Sequence, residues 1–510
     1  MKNKIMWSII VLATAAAFVS CGGGGGGGGG GTPPAPAVPD IMVNDNNLVI
    51  SFGTVVLRNT SEQTVTMKND GAADLSIGAI AGASAPFSIT SDTCSNQTIS
   101  PAASCSVTVR FAPTGGGTFS ANLGIPSNDP DETTVNAQLS GASPNVVFVT
   151  SVSGNGNLGS WADAGGKTGL AAGDAVCQAR AGAAGLSGSF KAWLSDDNDD
   201  AYCRIHNLTG KRSANCSQAA LPASAGPWVR TDGFSCAARI DELLDNGKMY
   251  TPVRFDEFGA QITEAAYFTN TYIDGTLHPA VPSPCINWTS SDAGLVGEGG
   301  GTDMTSYNWT AYFGLSCAQP TVRLLCMQTG AGPSLPSLLT TGKKVFLASG
   351  WGTGNLSTWP GAGGNSGLAA GDAICRARAA AAGLANADRF KAWLSDSTTN
   401  AKDRITSDGP WVRLDGVPIA ENKADLLDGS LFTSINLTET GLYYGNYGVW
   451  SGTTDNGVKT PNTCNDWTDG SSGFMGSFGV APNAGPGWSS GWSNGTSCNQ
   501  SVFMLRCIED

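Results

Sequence analysis

What most limits the fold of this chain is that a long part of it is written twice. Residues 169–186 read Gly-Leu-Ala-Ala-Gly-Asp-Ala-Val-Cys-Gln-Ala-Arg-Ala-Gly-Ala-Ala-Gly-Leu, and residues 367–384 read Gly-Leu-Ala-Ala-Gly-Asp-Ala-Ile-Cys-Arg-Ala-Arg-Ala-Ala-Ala-Ala-Gly-Leu. Phe-Lys-Ala-Trp-Leu-Ser-Asp follows each, ending at Asp196 and Asp396. The match continues through Gly-Pro-Trp-Val-Arg at 226–230 and 409–413, and through Leu-Leu-Asp ending at Asp245 and Asp428. It closes with Cys285-x-x-Trp288 and Cys464-x-x-Trp467, then Leu-x-Cys at Cys326 and Cys507. A repeat this long is a whole domain, not a solenoid unit. In each copy the Ala-rich run predicts a helix, N-capped by Asp174 or Asp372 and ended in left-handed geometry at Gly185 or Gly383. Phe-Lys-Ala-Trp-Leu predicts a strand after it. Apolar strands should open and close each copy, and pairing of first with last would bring the termini together, which suits beads on a string.

The 510 residues leave room for more than these two domains. Only 14% are charged while 69 are glycine, which favours loop-rich β or α+β modules over a helical enzyme. A net charge of −13 argues against a broad surface for nucleic acid, so no nucleic-acid partner is expected. His206 and His278 both lie in the first copy, so chemistry shared by the copies must work without histidine.

Residues 1–20 combine Lys2 and Lys4 with an apolar stretch too short to favour a membrane span, and read as a secretory signal. Phe18-Val19-Ser20-Cys21 resembles the bacterial lipobox, which implies lipidation of Cys21 and cleavage before it. Residues 21–39 form a tether of ten glycines and a proline-rich spacer, and the glycine run spans about 15–20 Å as a random coil. Gly22 is not aspartate, and the sorting rule that accompanies the lipobox implies the outer membrane.

Residues 40–142 alternate apolar and polar positions in short runs such as Thr64-Val-Thr-Met-Lys68 and Ser106-Val-Thr-Val-Arg-Phe111, the pattern of a β-sandwich. With Phe52-Gly53, Asn69-Asp-Gly71, Phe87-Ser-Ile89 and Ser127-Asn-Asp-Pro-Asp131, the segment resembles the Ig-like choice-of-anchor D domain, related to Hydin-type sandwiches. That resemblance implies a spacer or stalk. Cys94 and Cys105 flank a short loop and suit a local disulfide.

The copies span 146–328 and 344–510, joined by a Gly/Pro linker at 329–343. Cys375, Cys464, Cys498 and Cys507 of the second copy allow three pairings, between which the sequence does not choose. A nested pairing, Cys375 to Cys507 and Cys464 to Cys498, would close the domain and staple its long loop. The first copy would repeat it as Cys177 to Cys326 and Cys285 to Cys317. Cys203 and Cys216 flank an insertion and could staple it, which leaves Cys236 without an assigned partner.

The Asp-x-x-Cys-x-x-Ala-x-Ala-x-Gly-Leu helix, the Phe-Lys-Ala-Trp-Leu-Ser strand, Leu-Leu-Asp, Val449-Trp450-Ser-Gly-Thr453, Cys464-x-x-Trp467 and the closing Leu-x-Cys-Ile-Glu509 together resemble endostatin. They are still more similar to the domain of the leptospiral endostatin-like surface proteins. The resemblance implies two α+β domains of the C-type lectin-like fold, nested disulfides, and host ligands such as laminin, fibronectin or complement factor H. The expected architecture is multidomain: an all-β Ig-like sandwich followed by two such domains.

Catalysis finds little footing. The sequence lacks Gly-x-Ser-x-Gly, a P-loop, a Rossmann glycine pattern and His-Glu-x-x-His, so no catalytic residue and no obligate cofactor is assigned. Asp196, Asp199 and Asp396 offer hard oxygen ligands for calcium; the alternative is a solvated acidic turn, because EF-hand spacing is missing. Tyr443, Tyr444, Tyr447, Trp450, Trp488 and Trp492 are concentrated in a glycine-rich loop region and are candidate contacts for a protein or glycan. The expected function is adhesion by a lipid-anchored surface protein, with an envelope scaffold or a glycan-active protein as alternatives.

Overall fold

The computed structural model describes residues 36–335, 340–445, 447–491 and 495–510. The signal segment, Cys21, the glycine run and Trp492 lie outside the described residues. No helix among the described residues is long and apolar enough to cross a membrane.

The N-terminal domain is a sandwich of two sheets. Ile41–Val43, Ser61–Asn69, Ser104–Phe111 and Phe87–Asp92 lie side by side in one, and Val49–Thr54, Thr134–Ser143 and Gly117–Pro126 in the other. Period-two alternation decides which side chains enter. Val65, Met67, Val107 and Val109 from the first sheet face a core shared with Leu123, Ile125, Ala137 and Leu139 from the second. Phe87 stacks on Phe111 at 4.9 Å between centroids, and Phe52 tilts against both. Cys94 is bonded to Cys105.

Only Pro144 separates the last sandwich strand from Asn145–Val149, the first strand of the first copy. Leu57 is buried in the core of that copy, and the Gln328 amide both accepts from and donates to the backbone of Gly116 at 2.9 Å. The Arg58 guanidinium donates to the Phe258 carbonyl. The sandwich is docked onto the first copy.

Each copy is organised on its opening strand. Asn145–Val149 runs antiparallel to Arg323–Gln328 and parallel to Trp228–Arg230; Lys343–Leu347 does the same with Arg506–Glu509 and Trp411–Arg413. Phe190–Ala192 and Phe390–Ala392 add to the other side of each closing strand. These are shorter than the five-residue strands the sequence predicts: Trp193 and Trp393 still donate to the closing strand, but the Leu194 and Leu394 N–H groups turn back to the carbonyls of Ala192 and Ala392.

The repeated helices are Gly169–Ala183 and Gly367–Ala381. Gly173 and Gly371 let each helix close on its sheet, since a Cβ there would meet Leu194 at 2.9 Å or Leu394 at 2.7 Å. Cys177–Cys326 and Cys375–Cys507 tie helix to closing strand, and Cys285–Cys317 and Cys464–Cys498 staple the loops. Cys203 bonds Cys216, and Cys236 is a buried free thiol. Gly185 and Gly383 are left-handed past the helix ends, at φ 70° and 68°. The N-cap expectation is corrected: Thr168 and Ser366 precede the helices, while Asp174 and Asp372 lie a turn inside and accept the Ala192 or Ala392 N–H.

The copies also pack on each other, which corrects the bead-on-a-string expectation. Met304 and Asn483 form an antiparallel bridge, with Thr305 N–H donating to the Pro482 carbonyl and Ala484 N–H to the Asp303 carbonyl, both at 2.9 Å. These segments hold the same place in the two copies, each leading to a tryptophan, Trp309 or Trp488, that packs on Trp193 or Trp393. Like meets like, so the contact approximates a two-fold relation.

Candidate functional site

The carboxylates that recur in both copies are the first place to look for shared chemistry, and the fold already holds three of the four pairs, leaving Asp245 exposed. Asp174 pairs with Arg204 and Asp372 with Arg404, whose guanidiniums also donate to the carbonyls of residues 192 and 194, or 392 and 394. Asp232 and Asp415 take two-pronged bonds from Arg230 and Arg413 at 2.7–3.0 Å. Burial pushes the Asp415 carboxyl up, but Arg413 and the Tyr443 hydroxyl outweigh it and hold the pKa below the usual carboxylate value. Asp245 lies 3.8 Å from Arg212, and Asp428 accepts from Ser430 N–H.

One recurring pair escaped the sequence reading. Glu257 and Glu439 are buried beneath the openings of the two copies, accepting from the backbone and hydroxyl of Ser151 or Ser349 and facing Arg180 or Arg378. The signal was present as Glu-x-Gly at Glu257-Phe-Gly259 and Glu439-Thr-Gly441, but the flanking residues differ.

The calcium candidates do not converge. Asp196 caps its own turn, accepting from Asn198 and Asp199 N–H at 2.8 Å; Asp396 accepts from Thr398 and Thr399; Asp199 accepts from Gly210. Among the described residues, the acidic oxygens that gather closely enough for an ion belong to Asp40, Asp129 and Glu132 in the sandwich. The acidic turns satisfy backbone donors instead, as Asx turns do.

The aromatic candidates divide. Trp450 and Trp488 are corrected to core residues: both are fully buried, Trp450 stacked on Phe503 at 4.2 Å and Trp488 beside Trp393 at 5.2 Å. Glycine-rich loops here fold back over the sheet, so loop composition did not mean exposure. Tyr443 is also committed, its hydroxyl donating to Asp415 at 2.6 Å. Tyr444 is half-buried against Tyr447, which is exposed.

Two concave surfaces lie where the copies meet. A cavity of about 600 Å³ is lined by Asp303, Met304, Phe313, Leu315, Gln319 and Thr321 of the first copy and by Asn483 and Pro486 of the second. Another, of about 800 Å³, lies among Glu242, Lys248 and Tyr307 of the first copy and Asp415, Glu439 and Tyr443 of the second. Both fall in the size range of small-ligand sites. In the first, Asp303 is buried; its Oδ2 accepts from Glu264 N–H at 2.7 Å, and its Oδ1 lies 3.6 Å from Arg254 with no hydrogen-bond donor. Burial raises its carboxyl pKa beyond what the Glu264 N–H and Arg254 offset.

No curated protein sequence matches this chain. Solved structures that match are a Porphyromonas gingivalis W83 protein of unknown function, the ASH/PapD-like domain of human CEP192, and the secreted serine protease VesC from Vibrio cholerae. The first is 15% identical and covers 22% of this chain and 50% of its own, at a TM-score of 0.19. The second is 19% identical over 22% of this chain and 89% of its own, at 0.18. VesC is 22% identical over 19% of this chain and 22% of its own, at 0.17. This chain thus spans half of the Porphyromonas protein and about a fifth of VesC. Residues 42–142 fit the model of the HYDIN/CFA65/VesB-like Ig-like domain.

Proposed function

We propose that this chain is a lipid-anchored surface protein, held at the outer membrane through Cys21, that binds ligands without catalysis. The Ig-like sandwich serves as its stalk, and the two repeat domains, C-type lectin-like of the endostatin-like kind, form its binding head. One observation carries the non-catalytic part: three of the four carboxylate pairs repeated in both copies are tied to arginines or backbone N–H groups, so they are scaffold. An acid and base pair available to a glycan substrate would need freer carboxyls. Ligand classes that fit the endostatin-like resemblance are host proteins such as laminin, fibronectin or factor H; glycans are the other class. Docking of the stalk onto the first copy favours an envelope scaffold as the second reading.

The test is binding of the soluble chain from residue 40 onward to immobilised laminin, fibronectin, factor H and a glycan array, with calcium and with EDTA. Saturable binding to any of them supports the adhesin reading. Silence throughout discards it in favour of the scaffold.

A further inference from the structure

We infer that the cleft between the two copies is a metal-independent binding site for a neutral saccharide. The inference rests on the ligand-binding reading above and gives its glycan branch a place.

Three observations support it. First, the seam between the copies collects buried polar atoms that the protein leaves without a hydrogen-bond partner: Asp303 Oδ1, Arg254 Nε, Ser306 Oγ, Asn308 Nδ2 and Thr433 Oγ1. Buried polar groups are ordinarily satisfied, so such a cluster marks a seam whose polar groups are not fully paired within the protein. Asp303, an acceptor, lines the cleft itself.

Second, the charges at the cleft balance. Asp303 faces the opposite charge of Arg254 at 3.6 Å, and on the rim Glu264 and Arg323 have opposite signs. An anion or a cation would gain little there. A neutral molecule with many hydroxyls, each both donor and acceptor, suits a carboxyl oxygen and the Gln319 amide, while its C–H face suits the half-buried Phe313 ring.

Third, the second copy is bulkier at two positions of the same region. Phe503 lies over Gly448, the residue answering Ala266 in the cleft wall, and stacks on Trp450; Trp351 stands where the first copy has Ser153. At these two positions the first copy carries the smaller Val322 and Ser153 where its twin carries aromatic rings.

The experiment presents the soluble chain, in EDTA, with an array of neutral oligosaccharides of glucose, mannose and N-acetylglucosamine. Expected is saturable binding to at least one series. Gln319→Ala should weaken it about tenfold, as loss of one well-placed hydrogen bond does. Ser153→Trp, which copies the second domain's residue into the cleft mouth, should abolish it with the melting temperature unchanged. Binding that needs calcium, binding indifferent to both variants, or no binding on the array would each overturn the inference. Laminin, fibronectin or factor H binding beside a silent saccharide array would leave the adhesin reading standing while the cleft proposal falls.

Discussion

Arg413 shows how much of this molecule depends on single charges. It is fully buried, and its guanidinium reaches Asp415, the Ser434 carbonyl, the Asn436 side chain and, across the domain boundary, the Met249 carbonyl. Removing one partner of a buried ion pair leaves the other charge uncompensated. Asp415→Asn should therefore cost about 3–5 kcal/mol in a denaturant titration at neutral pH. The folded pKa of Asp415 is below its unfolded value, so its contribution is complete above the ordinary carboxylate pKa and fades as pH falls through the lower folded value. The gap between wild type and variant should narrow below about pH 4. Asp303 has the opposite sign: burial raises its pKa, so its ionised form costs stability as pH rises through that raised value.

Among the elements, the helix and closing strand of each copy depend on one disulfide more than on helix propensity. Cys375–Cys507 joins residues 132 apart, whereas Cys464–Cys498 joins residues 34 apart. By the chain-entropy relation, replacing the first pair with alanine should cost about 5 kcal/mol and the second about 4 kcal/mol. Equilibrium unfolding of the two double variants tests the order. A larger loss at the loop staple would mean that strain or packing, not chain entropy, governs the domain. The helix itself approaches its sheet through Gly371, where a side chain would strike Leu394. That close approach places Cys375 within reach of Cys507.

At the scale of the whole molecule, the seam between the copies makes one body of two domains. Arg254 of the first copy donates to the Ser430 hydroxyl at 2.9 Å and the Leu431 carbonyl at 2.7 Å, and it is the countercharge of Asp303. Calorimetry of the soluble chain should show the two copies unfolding in one transition, and Arg254→Ala should split it; a variant that still unfolds as one would show that the backbone bridge at Met304 and Asn483 suffices. The sequence by itself determined the duplication, the alternating sandwich strands, the repeated helices and their left-handed glycine ends. These are local or periodic properties, written in neighbouring residues. Only the tertiary structure decided that Asp174 and Asp372 anchor arginines and do not cap helices, that Trp450 and Trp488 are core, and that equivalent segments of the two copies meet to leave a cleft. Each of those depends on residues tens to hundreds of positions apart, such as Arg254 and Leu431, whose meeting no spacing or composition records.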